Sequence, residues 1–347
     1  MKKIFALMLA AALLAAVLTG SFAFAEEEKV LNIFTWEGYF DETTLAQFEG
    51  ETGIKVNYSV FASNEEMLLK MQAGVSDYDI ILASDYAISA MRKDGKLLEL
   101  DKSRLTNWEN LNPNYLNQYF DPENVYSVPY TVGVPVIVYD PAQVEGEITA
   151  FADLWDEQFK YSLWLLDDAR VMLGETLKML GYSYNTTDAN EINEAYEKLL
   201  ALKDNAYVLD YDLTYNYLTS GEVKAAYLFT PYACLSLLDN PDLKCVFPEE
   251  GIGFGIDSIV IPKAAQHPEN AHAFINFYLE AETAKFVAEW QAYINPNAAA
   301  DELIDPGFAA MECFAVPLDL LSTSEYVEDL GADESLFQEA WTNFKLS

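Results

Sequence analysis

The sequence predicts an α/β protein of two lobes joined at a hinge, and three features carry that prediction. Short apolar or β-branched runs alternate with longer amphipathic stretches from residue 30 to residue 84, the order from which mostly parallel sheets are built. One of these runs, "YDIILAS" (78–84), is apolar nearly throughout, as in a strand covered on both faces. Two extended stretches, "NVYSVPYTVGVPVIVYD" (124–140) and "GIGFGIDSIVIP" (251–262), bracket the middle third. The middle is therefore expected to fold as one lobe, with the flanking parts completing the other across a hinged cleft.

The elements follow in order. "MKKIFALMLAAALLAAVLTGSFAFAEEE" has two lysines, an apolar stretch and then Ala23-Phe24-Ala25, which predicts a secretory signal peptide over 1–25 with cleavage before Glu26. No cysteine lies near the end of the apolar stretch, so a lipid anchor is not expected. "VLNIF" (30–34) predicts a strand, and Asp41 an N-cap with Phe40 and Leu45 as its staple. Leu45 and Phe48 then face inward. "IKVNYSV" (54–60) predicts the second strand; "SNEEMLLKMQAG" (63–74) predicts a helix opened by a Ser63–Glu66 capping box and closed at Gly74.

Later, "SLWLLDD" (162–168) and "VKAAYLF" (223–229) predict strands of the second lobe. A single long helix is predicted from about Glu269 to Trp290, with Phe274, Phe277, Tyr278, Phe286 and Val287 on its core face. The predicted division is a first lobe over 26–133 and 254–305, and a second over 134–253 with the C-terminal helices of 306–347.

Composition narrows function. The chain has 56 acidic and 20 basic residues, a formal charge of −36, which repels nucleic acid and anionic lipid and attracts cations. Three cysteines are too few for a disulfide-built scaffold; Cys234 and Cys245 are read either as a pair or as buried free thiols. With two histidines and no CxxC or HExxH spacing, neither a transition-metal site nor any cofactor is expected. The glycines of "GIGFGID" precede a strand, where a phosphate cradle needs them between strand and helix. There is no GxSxG elbow, and nothing in the spacing of the acids selects a carboxylate pair for hydrolysis.

In α/β sheets ligands collect beyond the carboxyl ends of strands. Trp36 to Tyr39 and Ser84-Asp85-Tyr86 both fall at such ends. On residue type alone, Trp36 and Tyr39 are as readily core aromatics, Asp168 a helix cap and Asp257 a turn acid.

The stretches "FTWEGYFDETTLAQFEGETGIKVNYSVFASNEEML", "YDIILASDYAISAMRKDGKLLELDKSRLTNWENL", "FDPENVYSVPYTVG", "ADLWDEQFKYSLWLLDDAR" and "GFGIDSIVIPKAAQHPENAHAFINFYL" together resemble the periplasmic spermidine/putrescine-binding proteins of bacterial ABC transporters. The resemblance spans about residues 29–300. It implies a two-lobed type II periplasmic-binding fold, a polyamine held between rings and carboxylates, a membrane permease as partner, a periplasmic or extracellular location, a monomer and no catalysis. Residue by residue it implies ligand contacts at Trp36, Tyr39, Ser84, Tyr86, Asp168, Asp257 and Tyr293, with Phe229 standing for a second-lobe tryptophan. The chain departs from that pattern at Gly38 and Val171, which replace acids, and at Gly255, which replaces a tryptophan; a late glutamine is replaced near Tyr326-Val327. Glu37 and Asp85 lie beside the vacated positions and enter the candidate set as compensating acids. The departures keep other solutes open, such as a monoamine, a quaternary ammonium or an amino acid, with Arg170 the one arginine near the matched positions. A secreted hydrolase using a carboxylate pair is the rival from another class.

Overall fold

The computed structural model describes residues 28–74, 77–210, 216–314, 317, 320 and 323–347; the segment read as a signal peptide lies outside them. The chain lays down β1 (Val30–Trp36), β2 (Lys55–Phe61), β3 (Ile80–Ser84) and β4 (Ser127–Gly133) in a first sheet. It crosses through buried Val134 into β5 (Pro135–Tyr139) of a second sheet, which adds β6 (Leu163–Leu166), β7 (Ala206–Asp210), β8 (Ala225–Phe229) and β9 (Lys244–Val246). It then returns to the first sheet as β10 (Gly253–Val260), and a two-residue strand, β11 (Glu325–Tyr326), later pairs with the start of β10.

In the first sheet β1 lies between β2 and β3, parallel to both. β10 runs antiparallel between β3 and β4, which sets Asp257 opposite Ser84. In the second sheet β6 lies parallel between β7 and β8, while β5 is antiparallel to β8 and β9. Alternation along each strand sorts the core. Ile33, Ile80 and Leu82 join Phe48 and Phe274 on one face of the first sheet. Phe34, Ile81 and Ala83 face the other way, in a cluster that runs on to Trp164 and Tyr227 of the second sheet.

Local signals act as their chemistry requires. Asp41 Oδ1 accepts from the amides of Thr43 and Thr44 at 2.8 and 3.0 Å, opening the Glu42–Thr52 helix. Ser63 Oγ accepts from the Glu66 amide, and Glu66 reaches back to the amide of Ala62.

The long helix expected from Glu269 to Trp290 is instead two, Pro268–Tyr278 and Ala281–Gln291. The chain turns out at Glu280, whose ψ is 136°. The carbonyl of buried Leu279 is taken by the side chains of Asn110 and Asn297, at 2.9 Å each, so the break leaves it satisfied. The change of direction turns Phe286 out to 38 % exposure, not into the core.

All three cysteines are buried and free. Cys234 lies with its Sγ 2.7 Å from that of Cys313, and Cys245 is near enough for both to act on it. The Glu334–Leu346 helix packs on the Ala169–Met179 and Ala189–Leu202 helices beside the second sheet.

One packing feature ties the second sheet's layer to the start of β10. The ring of fully buried Tyr184 lies against Gly174 and Gly253 so closely that an added Cβ would come within 2.3 and 2.1 Å of it. Its hydroxyl donates to the Val171 carbonyl at 3.2 Å. Both glycines are present for space.

Candidate functional site

Two strand ends of the first sheet converge on the middle of β10. Trp36 closes β1, and Gly38, at φ 74°, makes the turn that presents Tyr39. Ser84 closes β3 and Asp85 opens the Asp85–Lys93 helix. Asp257 lies on β10 beside Ser84. Tyr39 donates its hydroxyl to Asp257 Oδ2 at 2.5 Å. Ser84 lies opposite Asp257 in the strand pairing, and its side chain acts on the same carboxylate.

Aromatic rings surround this acid. The Tyr39 ring is 6.4 Å from that of Trp36 and 6.1 Å from that of Tyr293. Gly133, the last residue before the crossing, lies so that an added Cβ would be 3.3 Å from the Tyr293 ring and 4.0 Å from Phe229. The crossing thus brings an aromatic from the end of β8 in the second sheet up to those of the first. Trp36, Tyr39, Ser84, Asp257, Tyr293 and Phe229 form one group, and Tyr86 is half-buried at the neighbouring strand end.

The other candidates are placed differently. Asp168 follows β6 and is the N-cap of the Ala169–Met179 helix, with Oδ1 accepting from the Val171 amide at 2.9 Å. Glu37 is exposed and has no hydrogen bond or ion pair among the described residues. Asp85 is buried; its Oδ1 accepts from the Tyr86 amide at 2.7 Å, while Oδ2 has no partner among the described residues.

The acids respond to this setting. Burial pushes the Asp257 carboxyl above the usual carboxylate range, against the lowering effect of the Tyr39 and Ser84 side chains. Burial raises Asp85 further, with Asp257 adding to it. Asp168 is raised by burial too, opposed by helix amides and Arg170. Tyr39 is pushed up by burial and by the Asp257 charge, so it remains a donor at neutral pH.

Arg170, the arginine an amino-acid carboxylate would need, is already engaged. Its guanidinium donates to Glu334 at 2.7 Å, the Glu328 carbonyl at 3.0 Å and Asn185 at 2.8 Å.

Three aromatics outside the predicted set border the group. Tyr232 acts electrostatically on Tyr293. Tyr326 on β11 packs on Phe254 with ring centres 4.1 Å apart, and Tyr119 lies 5.6 Å from Tyr326 with its hydroxyl donating to the Val327 carbonyl. A two-residue strand carries no local periodicity, so only the resemblance, through the glutamine replaced near Tyr326-Val327, points toward Tyr326.

Acids beneath a ring of aromatics suit an organic cation with an apolar chain. Ring faces attract the charge by about 0.5–2 kcal/mol, and carboxylates supply charge-assisted acceptors. Among the described residues no group of three or more His, Cys, Asp or Glu is arranged to hold a metal ion. No helix among them is long and apolar enough to cross a membrane.

Residues 43–312 match the family described as bacterial extracellular solute-binding protein. The chain is 38 % identical over 327 residues to the spermidine/putrescine-binding periplasmic protein of Escherichia coli (strain K12), covering 94 % of each. It is 30 % identical to the putrescine/cadaverine-binding protein of Pseudomonas aeruginosa, covering 96 % of this chain and 98 % of that one. The crystal structure of the spermidine/putrescine ABC transporter substrate-binding protein PotD from Streptococcus pneumoniae matches with a TM-score of 0.83 at 35 % identity, covering 92 % of this chain and 99 % of that one.

Proposed function

The chain belongs to the bacterial extracellular solute-binding protein family, and from that premise we propose that it is the substrate-binding component of an ABC importer for polyamines. It works outside the cytoplasm, in the periplasm or at the cell exterior, as a monomer that takes up a spermidine- or putrescine-like amine and delivers it to a membrane permease. It carries out no reaction. Each sheet is the core of one lobe, 26–133 with 254–305 and 134–253 with 306–347, moving about the crossings at Val134 and 247–252, with β11 of the last segment pairing across to the start of β10.

The observation that carries this reading is the Tyr39–Asp257 bond inside the group of Trp36, Tyr293 and Phe229. It holds a carboxylate fixed beneath rings contributed by both sheets. An ammonium group there gains an anionic acceptor, and the methylene chain lies against aromatic faces. The engagement of Arg170 disfavours an amino acid, which would leave its carboxylate without a counter-charge.

The test is calorimetry of the mature protein with spermidine, putrescine, agmatine, choline and amino acids. Micromolar or tighter binding of di- or polyamines, with amino acids silent, is the expected result. A panel in which no amine binds refutes the polyamine reading, and turnover of a bound amine refutes the absence of chemistry.

A further inference from the structure

We propose that Asp85 holds a primary ammonium group of the ligand in the space beside Gly255, an assignment that rests on the amine-binding reading above. Asp85 is 1 % exposed, and its Oδ2 has no hydrogen bond among the described residues. Buried polar atoms are almost always paired, so an unpaired carboxylate oxygen inside a candidate site points to a donor that arrives with the ligand. The other acids differ: Asp257 accepts from Tyr39 and Asp168 from the Val171 amide, and neither keeps a fully buried oxygen without a partner among the described residues.

Gly255 makes the room. It is half-buried on β10, and a Cβ built there would meet the Asp85 carboxylate, with Oδ2 at 3.6 Å, and no other side chain or backbone within 4 Å. Any larger residue at 255 would stand in front of that oxygen.

The surroundings favour a cation. Asp257 adds a second negative charge, and Tyr119 and Tyr326 lie near enough for the Asp85 charge to act on both hydroxyls. The Ile256 amide acts on the carboxylate without forming a hydrogen bond to Oδ2. Arg170 is the basic group acting on Asp85, and its guanidinium is bonded to Glu334, Asn185 and the Glu328 carbonyl.

Oδ2 needs an N–H donor, which a primary ammonium offers and a quaternary ammonium lacks. The site is thereby assigned a preference for the free amine end of a di- or polyamine over a methylated one. It gives this chain an amine-binding acid on β3's end in place of the acids replaced at Gly38 and Val171.

The test compares the parent with Asp85→Asn, Gly255→Leu and the surface control Glu109→Gln, titrating putrescine, spermidine and choline. Asn keeps the Oδ1 acceptor for the Tyr86 amide, so Asp85→Asn is expected to melt no lower than the parent without ligand. It is expected to bind putrescine and spermidine about 100-fold more weakly and to lose most of the preference over choline. Gly255→Leu, with Asp85 intact, should weaken both amines similarly, and Glu109→Gln should match the parent. If the parent binds amines and Asp85→Asn stays within about threefold, the assignment is overturned while the polyamine reading stands. Should Asp85→Asn fail to fold, Gly255→Leu decides: parent-like affinity overturns the assignment. A parent that binds no amine overturns both.

Discussion

Replacing Gly253 by alanine puts the close packing of Tyr184 under direct test. The new Cβ would sit 2.1 Å from the ring of Tyr184, which is fully buried. Ordinary carbon–carbon contact is about 3.5–4.0 Å, so ring or strand must give by more than an ångström. The ring cannot simply swing away: its hydroxyl is tied to the Val171 carbonyl, the residue's amide to Glu325, and the ring also lies against Gly174. Overpacking of this kind costs about 1–3 kcal/mol and occasionally more; the severity of this contact puts Gly253→Ala at the upper end, about 3 kcal/mol. Urea unfolding followed by fluorescence measures it. A double-mutant cycle with Tyr184→Ala isolates the cause, because without the ring the same Gly253→Ala change should cost under about 0.5 kcal/mol. Two results would refute the reasoning: a Gly253→Ala protein as stable as the parent, or an equal cost with and without Tyr184.

Other perturbations read the acids. Asp257→Asn removes the charge beneath Trp36, Tyr39 and Tyr293 but keeps an acceptor for Tyr39; affinity for a diamine should fall by about two decades in calorimetry, with the ligand-free melting temperature unchanged or higher. Asp85, Asp168 and Asp257 all have carboxyls raised in the folded state. Such groups stabilise the fold below the ordinary carboxylate pKa, and that contribution is lost as pH rises through the raised folded values. The ligand-free contribution of Asp85 and Asp257, measured as the melting difference between the parent and each Asn variant, should therefore turn against the parent as pH rises. Amine affinity should rise over the same interval, because binding needs the ionised acids; a difference that is flat with pH would count against the buried setting. Glu175 is fully buried with neither carboxylate oxygen hydrogen-bonded among the described residues, and burial pushes its carboxyl well above the usual range. Glu175→Met should stabilise the protein at pH 8 by about 2 kcal/mol in urea unfolding, and a loss of stability would show that the acid has a partner role.

What could be read from the sequence was what neighbouring residues decide. Asp41 and Ser63 cap helices within three residues of themselves, and the alternation of Ile33 with Phe34 sorts side chains to opposite faces of one sheet. The break at Leu279 could not be read that way, because one of the side chains that takes its carbonyl, Asn110, comes from 169 residues away. The same divide runs through the site. Trp36, Tyr39 and Ser84 follow apolar runs that announce strand ends, and the structure gathers them around Asp257. Asp85 reads in the sequence as an acid at a strand end, a candidate no better marked than Glu37. Its distinction depends on Gly255, far along the chain, which the antiparallel register of β10 against β3 lays beside it with nothing else in the gap. A glycine that looks, in sequence, like the loss of a binding ring lies in three dimensions against a buried carboxylate, where a Cβ would be 3.6 Å from its unpaired oxygen. Substitutions in a cleft of this kind are therefore better judged in pairs across the sheet than one position at a time.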